Sequence, residues 1–152
     1  MFFRATSAAI LAAALAGVAQ AEQRAGLLQE GSYQVQVRLE LPNVEAAAAT
    51  RTTTICVPHG GGTSGVPLPV LSVNNPFAGC PARNVRRSGA ELSFDIVCEG
   101  RGAAKARATY MLLPDAFEGR IAMVMGGKNM TMSEVQVGRR LGGCDPAGAP
   151  QH

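Results

Sequence analysis

The chain has 152 residues, with 14 basic and 11 acidic side chains and a formal net charge of +3. So weak a positive charge argues against a protein that binds nucleic acid through a concentrated basic face. Aromatic residues make up only 5% of the chain and tryptophan is absent, so aliphatic side chains and methionine must supply the bulk of any core.

The first 21 residues have the layout of a cleaved secretory signal. They carry one early positive charge at Arg4, an apolar run from Ala8 to Val18, and a small-x-small ending at residues 19–21. The run is too short to span a bilayer, and the cleavage site argues against the alternative of a retained membrane anchor. No cysteine lies near the cleavage point to accept a lipid. We therefore expect a periplasmic protein, not a lipoprotein, with no stable membrane insertion after cleavage.

The rest of the chain is long enough for one domain with a single core. We expect a lead-in at residues 22–30, one antiparallel β-domain at 31–144, and a disordered tail at 145–152. Four cysteines remain after processing, and an even count in an exported chain indicates two disulfides. They are Cys56, Cys80, Cys98 and Cys144.

Alternating apolar and polar residues predict strands along most of this domain. Every second residue from Tyr33 to Leu41 is apolar, and RTTTICV (51–57) is rich in β-branched residues. Residues 58–81, dense in glycine, proline, serine and asparagine, predict mostly loop. Two strands flank the Ser88–Gly89 turn, and others are expected near 103–112, 118–126 and 129–139. This order predicts an all-β fold, an antiparallel meander of about seven strands forming a curved sheet or small barrel.

The turn at Ser88 to Ala90 bears on the disulfides. If these three residues form the loop, Arg87 faces Glu91, and counting outward places Cys80 opposite Cys98 at close to disulfide reach. A two-residue loop would miss by one position. We therefore predict the pair Cys80–Cys98, which leaves Cys56–Cys144 to tie the C-terminal part back to the second strand.

The stretch IAMVMGGKNMTM (121–132) places four methionines in one predicted hairpin. A two-residue turn at Gly127–Lys128 pairs Met125 with Met130 and Met123 with Met132, whereas a turn one residue earlier pairs Met123 with Met130. In both registers all four side chains share one face, because side-chain direction alternates along a strand.

Two roles for the methionine face are open. Methionine fills cores that lack large rings, so the face is predicted to be interior, as core or as the wall of an apolar cavity. Small residues at Ala104, Ala106 and Ala108 would leave room for such a cavity. Glu134 falls on the same face and suggests that one end approaches solvent. The alternative is a Cu(I) site formed by Met123, Met125, Met130 and Met132, because soft thioethers suit that ion.

Catalytic chemistry has little support. The chain has two histidines, His59 in a glycine-rich segment and His152 at the end, and neither forms a convincing nucleophile–base arrangement. We expect no enzyme and no cofactor. Six basic residues on polar positions could meet an anionic envelope component if they cluster. These are Arg86, Arg87, Lys105, Arg107, Arg139 and Arg140.

The chain resembles the domain-of-unknown-function family 3617 of bacterial exported proteins. The matching segments are GSYQVQVRLELP, TTTICV, CPARNVRRSGAELSFDIVCEG, the methionine-rich hairpin and VQVGRRLGGC, which together span most of residues 30–144. The glycine-rich insert at 60–65 and the sparser methionine content before the second strand depart from the family. The resemblance implies an exported antiparallel β-domain with two disulfides. It supplies no activity that could be carried over to this chain.

The sequence thus favours a non-enzymatic periplasmic module that binds a small apolar ligand or an envelope component. Its alternative is a periplasmic protein that handles Cu(I) through the four methionines.

Overall fold

The computed structural model describes residues 28–41, 50–58, 68–99, 104–125 and 130–144. The predicted signal, most of the lead-in and the predicted tail lie outside the described residues. His59, the glycine-rich segment 60–65, the turn at 126–129 and the side chain of Met125 lie outside them too.

Seven antiparallel strands form one curved sheet, which confirms the predicted all-β fold. They are β1 (Gly31–Glu40), β2 (Thr50–Val57), β3 (Ala82–Ser88), β4 (Glu91–Val97), β5 (Lys105–Leu112), β6 (Ala116–Met125) and β7 (Met130–Gly142). A short 3-10 turn, Pro76–Gly79, precedes β3. Within the ranges that the structure describes, no helix has the length and apolar character needed to cross a membrane.

The sheet is open because its edge strands, β2 and β3, lie at opposite ends of the strand order β2-β1-β7-β6-β5-β4-β3. Strands β3 to β7 follow one another as hairpins, as in the predicted meander. Strand β1, however, pairs with β7, the last strand. The chain therefore crosses once from one edge to the other, between β2 and β3. The small barrel, the other form predicted from the sequence, does not form, since the two edge strands do not pair with each other.

One face of the sheet is buried, and the period of two in the sequence explains why. In β5, Ala106, Ala108, Tyr110 and Leu112 are buried while the residues between them are exposed. We call this the inner face and its opposite the outer face. Neighbouring strands add large buried side chains to it, among them Tyr33, Val35, Val37, Phe94, Ile96, Phe117, Ile121 and Met123.

Residues 68–80, which we call the strap, belong to the connection that crosses the sheet. The strap contributes Leu68, Val70, Ser72 and Phe77 to the buried part of the molecule, and the three apolar ones join the main core cluster. A segment whose composition predicts loop is therefore part of the core, because a crossing between opposite edges has to pass over a sheet face.

The β3–β4 hairpin differs from the predicted one at its turn. Ser88 pairs with Glu91, so Gly89 and Ala90 form a two-residue loop rather than part of a three-residue one. Gly89 has a φ of 56° and stands first in this loop, the position that requires positive φ in a type II′ turn. The predicted loop length was wrong, and this register alone would misalign the two cysteines by one position.

A β-bulge in β3 restores the alignment. The register shifts between Arg83 and Arg86, where Asn84 has a φ of 54°. The extra residue on β3 brings Cys80 opposite Cys98, with a Cα–Cα distance of 5.0 Å. The predicted Cys80–Cys98 disulfide is therefore confirmed, although the hairpin reaches it by a shorter loop and a bulge.

The second disulfide, Cys56–Cys144, is also as predicted, with a Cα–Cα distance of 5.7 Å. Cys56 on β2 faces Ser32 on β1, and Ser32 in turn faces Gly142 at the end of β7. The bond therefore fastens the edge strand β2 to the end of β7 across the intervening strand.

Candidate functional site

The methionine hairpin adopts one of the two predicted registers. Met123 faces Met132 and Met125 faces Met130 across β6 and β7. This is the pairing expected for a turn at Gly127–Lys128, so the alternative pairing of Met123 with Met130 does not occur. The backbone thus places the four residues at adjacent positions of one face.

These methionines do not share one environment. Met123 is 1% exposed, whereas Met130 is 59% exposed, and Met132 lies between them, half-buried against the core. The Nδ2 of Asn75 in the strap lies 3.3 Å from the Met123 sulfur and donates a hydrogen bond to it. The row therefore runs from the core under the strap to solvent at Met130.

The three alanines of the predicted cavity wall are all buried. Ala106 lies in register between Ile96 on β4 and Met123 on β6. In the strap, Asn75 contacts Met123, and Cys80 is bonded to Cys98 beside β4. Residues 75–80 therefore cross above the alanine row, and small side chains there leave room for the crossing backbone. The ligand-binding role of this wall stays a prediction.

A buried polar network, which the sequence did not indicate, fixes the strap to β7. The carboxylate of Glu134 is 0% exposed and accepts hydrogen bonds from the backbone N–H groups of Leu71 (2.8 Å) and Ser72 (3.0 Å). Glu134 therefore does not mark a solvent-exposed end of this face, contrary to what its charge had suggested. Its position on the inner face was right, but backbone donors from the strap replace water there.

Gln136 continues this network along β7. Its Nε2 donates to Glu134 at 2.6 Å and to the backbone oxygen of Pro69 at 2.8 Å, while its Oε1 accepts from the Tyr110 hydroxyl at 3.1 Å. Burial raises the pKa of Tyr110 well above its ordinary value, and the nearby charge of Glu134 adds to the effect. The network is saturated, since no buried side-chain polar atom lacks a partner in the described chain.

A concavity of about 570 Å³ opens on the outer face where β5, β6 and β7 approach the β5–β6 turn. Two large apolar side chains at its border are half exposed, Met111 at 51% and Leu113 at 50%. Half-exposed large apolar side chains that border one hollow are typical of a site for an apolar group. The full border comprises Met111, Leu113, Asp115, Ala116, Phe117, Glu118, Val137, Gly138, Arg139 and Arg140.

A second, smaller concavity of about 240 Å³ lies on the outer face of β3, β4 and β5. Its charges are partly neutralised, because Arg107 forms an ion pair with Asp95 at 2.9 Å. Asn84 from the bulge also donates to Asp95. These two contacts, the Asn84 hydrogen bond first, lower the pKa of Asp95.

The six predicted basic residues do not form one patch. Arg107 faces Ala122 on β6, and Ala122 faces Ser133 on β7. Ser133 lies six residues from Arg139, which corresponds to roughly 20 Å along a strand. Arg86 and Arg107 border the smaller concavity, whereas Arg139 and Arg140 border the larger one. A contact with an anionic envelope component would therefore use two separate surfaces.

The whole of this fold lies within a region that matches a known protein family. The model of a family described as "Protein of unknown function (DUF3617)" matches residues 28–144. The chain belongs to this family. No curated protein matches the chain, and no solved structure matches it.

The region that matches DUF3617 contains every structural feature described above. It begins at Leu28, ends at Cys144, and includes all seven strands, both disulfides and both concavities. The resemblance inferred from the sequence is thus confirmed. Membership of the DUF3617 family supplies no ligand or activity, so any function must be argued from the geometry of this chain.

Proposed function

We propose that this protein is an exported, non-enzymatic binding module that takes up a small apolar or amphipathic ligand. Two disulfides support export, because such bonds persist in oxidising compartments such as the periplasm. The non-enzymatic part of the proposal follows from the sequence, where no nucleophile–base arrangement stands out.

The observation that carries the proposal is the larger outer-face concavity. Its volume of about 570 Å³ falls within the range of about 300–1,000 Å³ that is common for ligand pockets. Met111 and Leu113 present half-exposed apolar surface to it, which a ligand would cover. Neither of the two described concavities is bordered by the four methionines or the three alanines. The strap crosses above the alanines. The half-exposed apolar border therefore supports the outer face as the ligand site.

A matched pair of variants tests this site. Met111→Gln places an amide on the concavity border with little change in size, whereas Met130→Gln makes the same change at an exposed position outside it. With dodecyl maltoside below its micellar concentration as probe, Met111→Gln is expected to weaken binding about fivefold to tenfold. Met130→Gln should leave it unchanged. Equal affinities for both variants and the parent, or no binding at all, would refute the outer-face site.

One observation favours the Cu(I) alternative. The register sets the four methionines at adjacent positions, with Met132 half-buried and Met130 exposed, so the row is open to solvent at one end. Against it, the Met123 sulfur already accepts a hydrogen bond from Asn75. In a Cu(I) titration against a chromophoric chelator, the Cu(I) proposal requires that Met130→Gln lower the affinity and that Met111→Gln leave it unchanged. The same two variants therefore distinguish the binding of an apolar ligand from the binding of Cu(I).

A further inference from the structure

Two opposite charges that the fold leaves unpaired lie side by side on the border of the larger concavity. Glu118 and Arg139 both border it, and both side chains are exposed. Neither forms an ion pair or side-chain hydrogen bond with any other residue in the described ranges. Elsewhere on the outer face opposite charges do meet, as in the pair Arg107–Asp95.

The registers of β6 and β7 fix the spacing of these two charges. Glu118 faces Val137, and Arg139 faces Ala116, so Glu118 and Arg139 are diagonal neighbours on adjacent strands. Such diagonal positions lie about 7–8 Å apart, within reach of long side chains. The carboxylate and the guanidinium nevertheless stay apart, so both remain available to a third group between them.

The apolar part of the border lies beside this pair of charges. Met111 faces Glu118 across β5 and β6, and the backbone of Leu113 is hydrogen-bonded to Ala116. A ligand that covers Met111 and Leu113 with an alkyl chain would therefore bring its polar end close to both charges. Asp115 and Arg140 also border the site, one of each sign, so the border has no net charge. Arg140 is held by its Nε, which donates to the backbone oxygen of Glu30 at 2.8 Å.

We propose that the concavity binds a single zwitterionic amphiphile. Its alkyl chain covers Met111 and Leu113, its cationic group meets Glu118, and its anionic group meets Arg139. A purely anionic headgroup would be attracted by Arg139 but repelled by Glu118. A purely cationic headgroup would be attracted by Glu118 but repelled by Arg139. A headgroup that carries both charges is therefore expected to bind more tightly than either. This inference rests on the proposed function, since it names the ligand class of the same site.

Four probes with a common twelve-carbon chain test the ligand class. They carry a betaine, a carboxylate, a trimethylammonium and a maltoside headgroup, and each is titrated as monomer into the mature protein with both disulfides formed. We expect the betaine to bind about fivefold more tightly than each of the other three probes. The expected factor is small because charge pairs that are exposed to solvent contribute little binding free energy.

Charge-removing variants make the test specific. Arg139→Gln removes the cation beside Glu118 and leaves the border net negative, so the trimethylammonium probe should become the tightest ligand. Glu118→Gln removes the anion beside Arg139 and leaves the border net positive, so the carboxylate probe should become the tightest. Arg86→Gln, at an exposed arginine that borders the smaller concavity, is the matched control and should keep the preference of the parent.

The outcomes separate this inference from the proposed function. Equal binding of all four probes would overturn the zwitterion inference and leave the binding module intact, whereas binding of none would overturn both. Preference of the parent for one singly charged probe would overturn the zwitterion inference. Binding to phosphatidylethanolamine vesicles without binding of the monomeric betaine would also overturn it, because the site would then recognise a membrane surface.

Discussion

The phenol ring of Tyr110 lies directly over Gly119, its cross-strand partner on β6. A β-carbon at Gly119 would collide with the Cγ, Cδ1 and Cε1 atoms of that ring. The next pair repeats the arrangement, with Phe117 over its partner Gly138. Two of the largest rings in the core thus occupy space that only glycine leaves free, and they meet edge to face with their centroids 6.0 Å apart.

Gly119→Ala should therefore destabilise the domain strongly. The added methyl group forces the buried Tyr110 ring from its place, and overpacking of this kind costs about 1–3 kcal/mol. Urea unfolding with the disulfides intact measures the loss. Gly79→Ala is the control, since a β-carbon there meets no atom within 4 Å. If both variants unfold at the same urea concentration, the close approach of the Tyr110 ring to Gly119 does not contribute to the stability of the domain.

Glu134→Gln should weaken the attachment of the strap. An amide offers one acceptor oxygen in place of two, so one of the N–H groups of Leu71 and Ser72 would face an NH₂ group. We expect a loss of about 2 kcal/mol in unfolding free energy. Hydrogen exchange at the Leu71 and Ser72 amides should accelerate more than at strand amides far from the strap. Glu118→Gln, at an exposed position, should stay within about 0.5 kcal/mol of the parent, and unchanged exchange at both strap amides would contradict the prediction.

The strands could be predicted from the sequence because each carries its own period of two. In β1 the alternation from Tyr33 to Val37 matches buried and exposed positions directly. The strap could not be predicted in this way. Val70 and Phe77 lie in a stretch rich in proline and asparagine, and their burial follows from the position of β2 and β3 at opposite edges. That strand order depends on the pairing of β1 with β7, which no local pattern shows.

The predicted environment of a side chain was wrong where its hydrogen-bond partners are backbone groups. The inner-face position of Glu134 could be predicted from alternation, but its two backbone donors in the strap could not, because any residue can supply an N–H group. The Cys80–Cys98 pair was predicted correctly from a wrong loop length. The two-residue loop and the bulge at Asn84 offset each other, so the alignment of the cysteines alone cannot distinguish the two hairpins.

Alkaline pH should destabilise the protein through its tyrosines. Burial raises the pKa of Tyr110 well above its ordinary value of 10.0, and burial likewise raises the pKa of Tyr33. Above about pH 10 the unfolded chain loses these protons while the folded chain retains them, so stability is full below that pH and falls as pH rises. Ultraviolet titration should show both tyrosines ionising later in the folded protein than in denaturant.

The variant Tyr110→Phe isolates the larger contribution to this pH dependence. It should flatten the alkaline loss of stability, since one ionisable group is removed. It should also cost about 1–2 kcal/mol near neutral pH, because the Gln136 amide oxygen loses its donor. Urea unfolding at several pH values between about 8 and 11 measures both effects. An alkaline decline as steep in Tyr110→Phe as in the parent would assign the pH dependence elsewhere.

The bulge in β3 depends on Asn84, whose φ of 54° suits asparagine and glycine but strains other residues. Asn84→Gly should keep the bulge at nearly parental stability, whereas Asn84→Ala should lose about 1–2 kcal/mol. Both remove the side-chain donor to Asp95, so NMR titration should find the Asp95 pKa raised toward its ordinary value in each. Equal stability of the two variants would show that the left-handed backbone is unstrained. An unmoved Asp95 pKa would assign its lowering to the neighbouring arginines, Arg107 and Arg86.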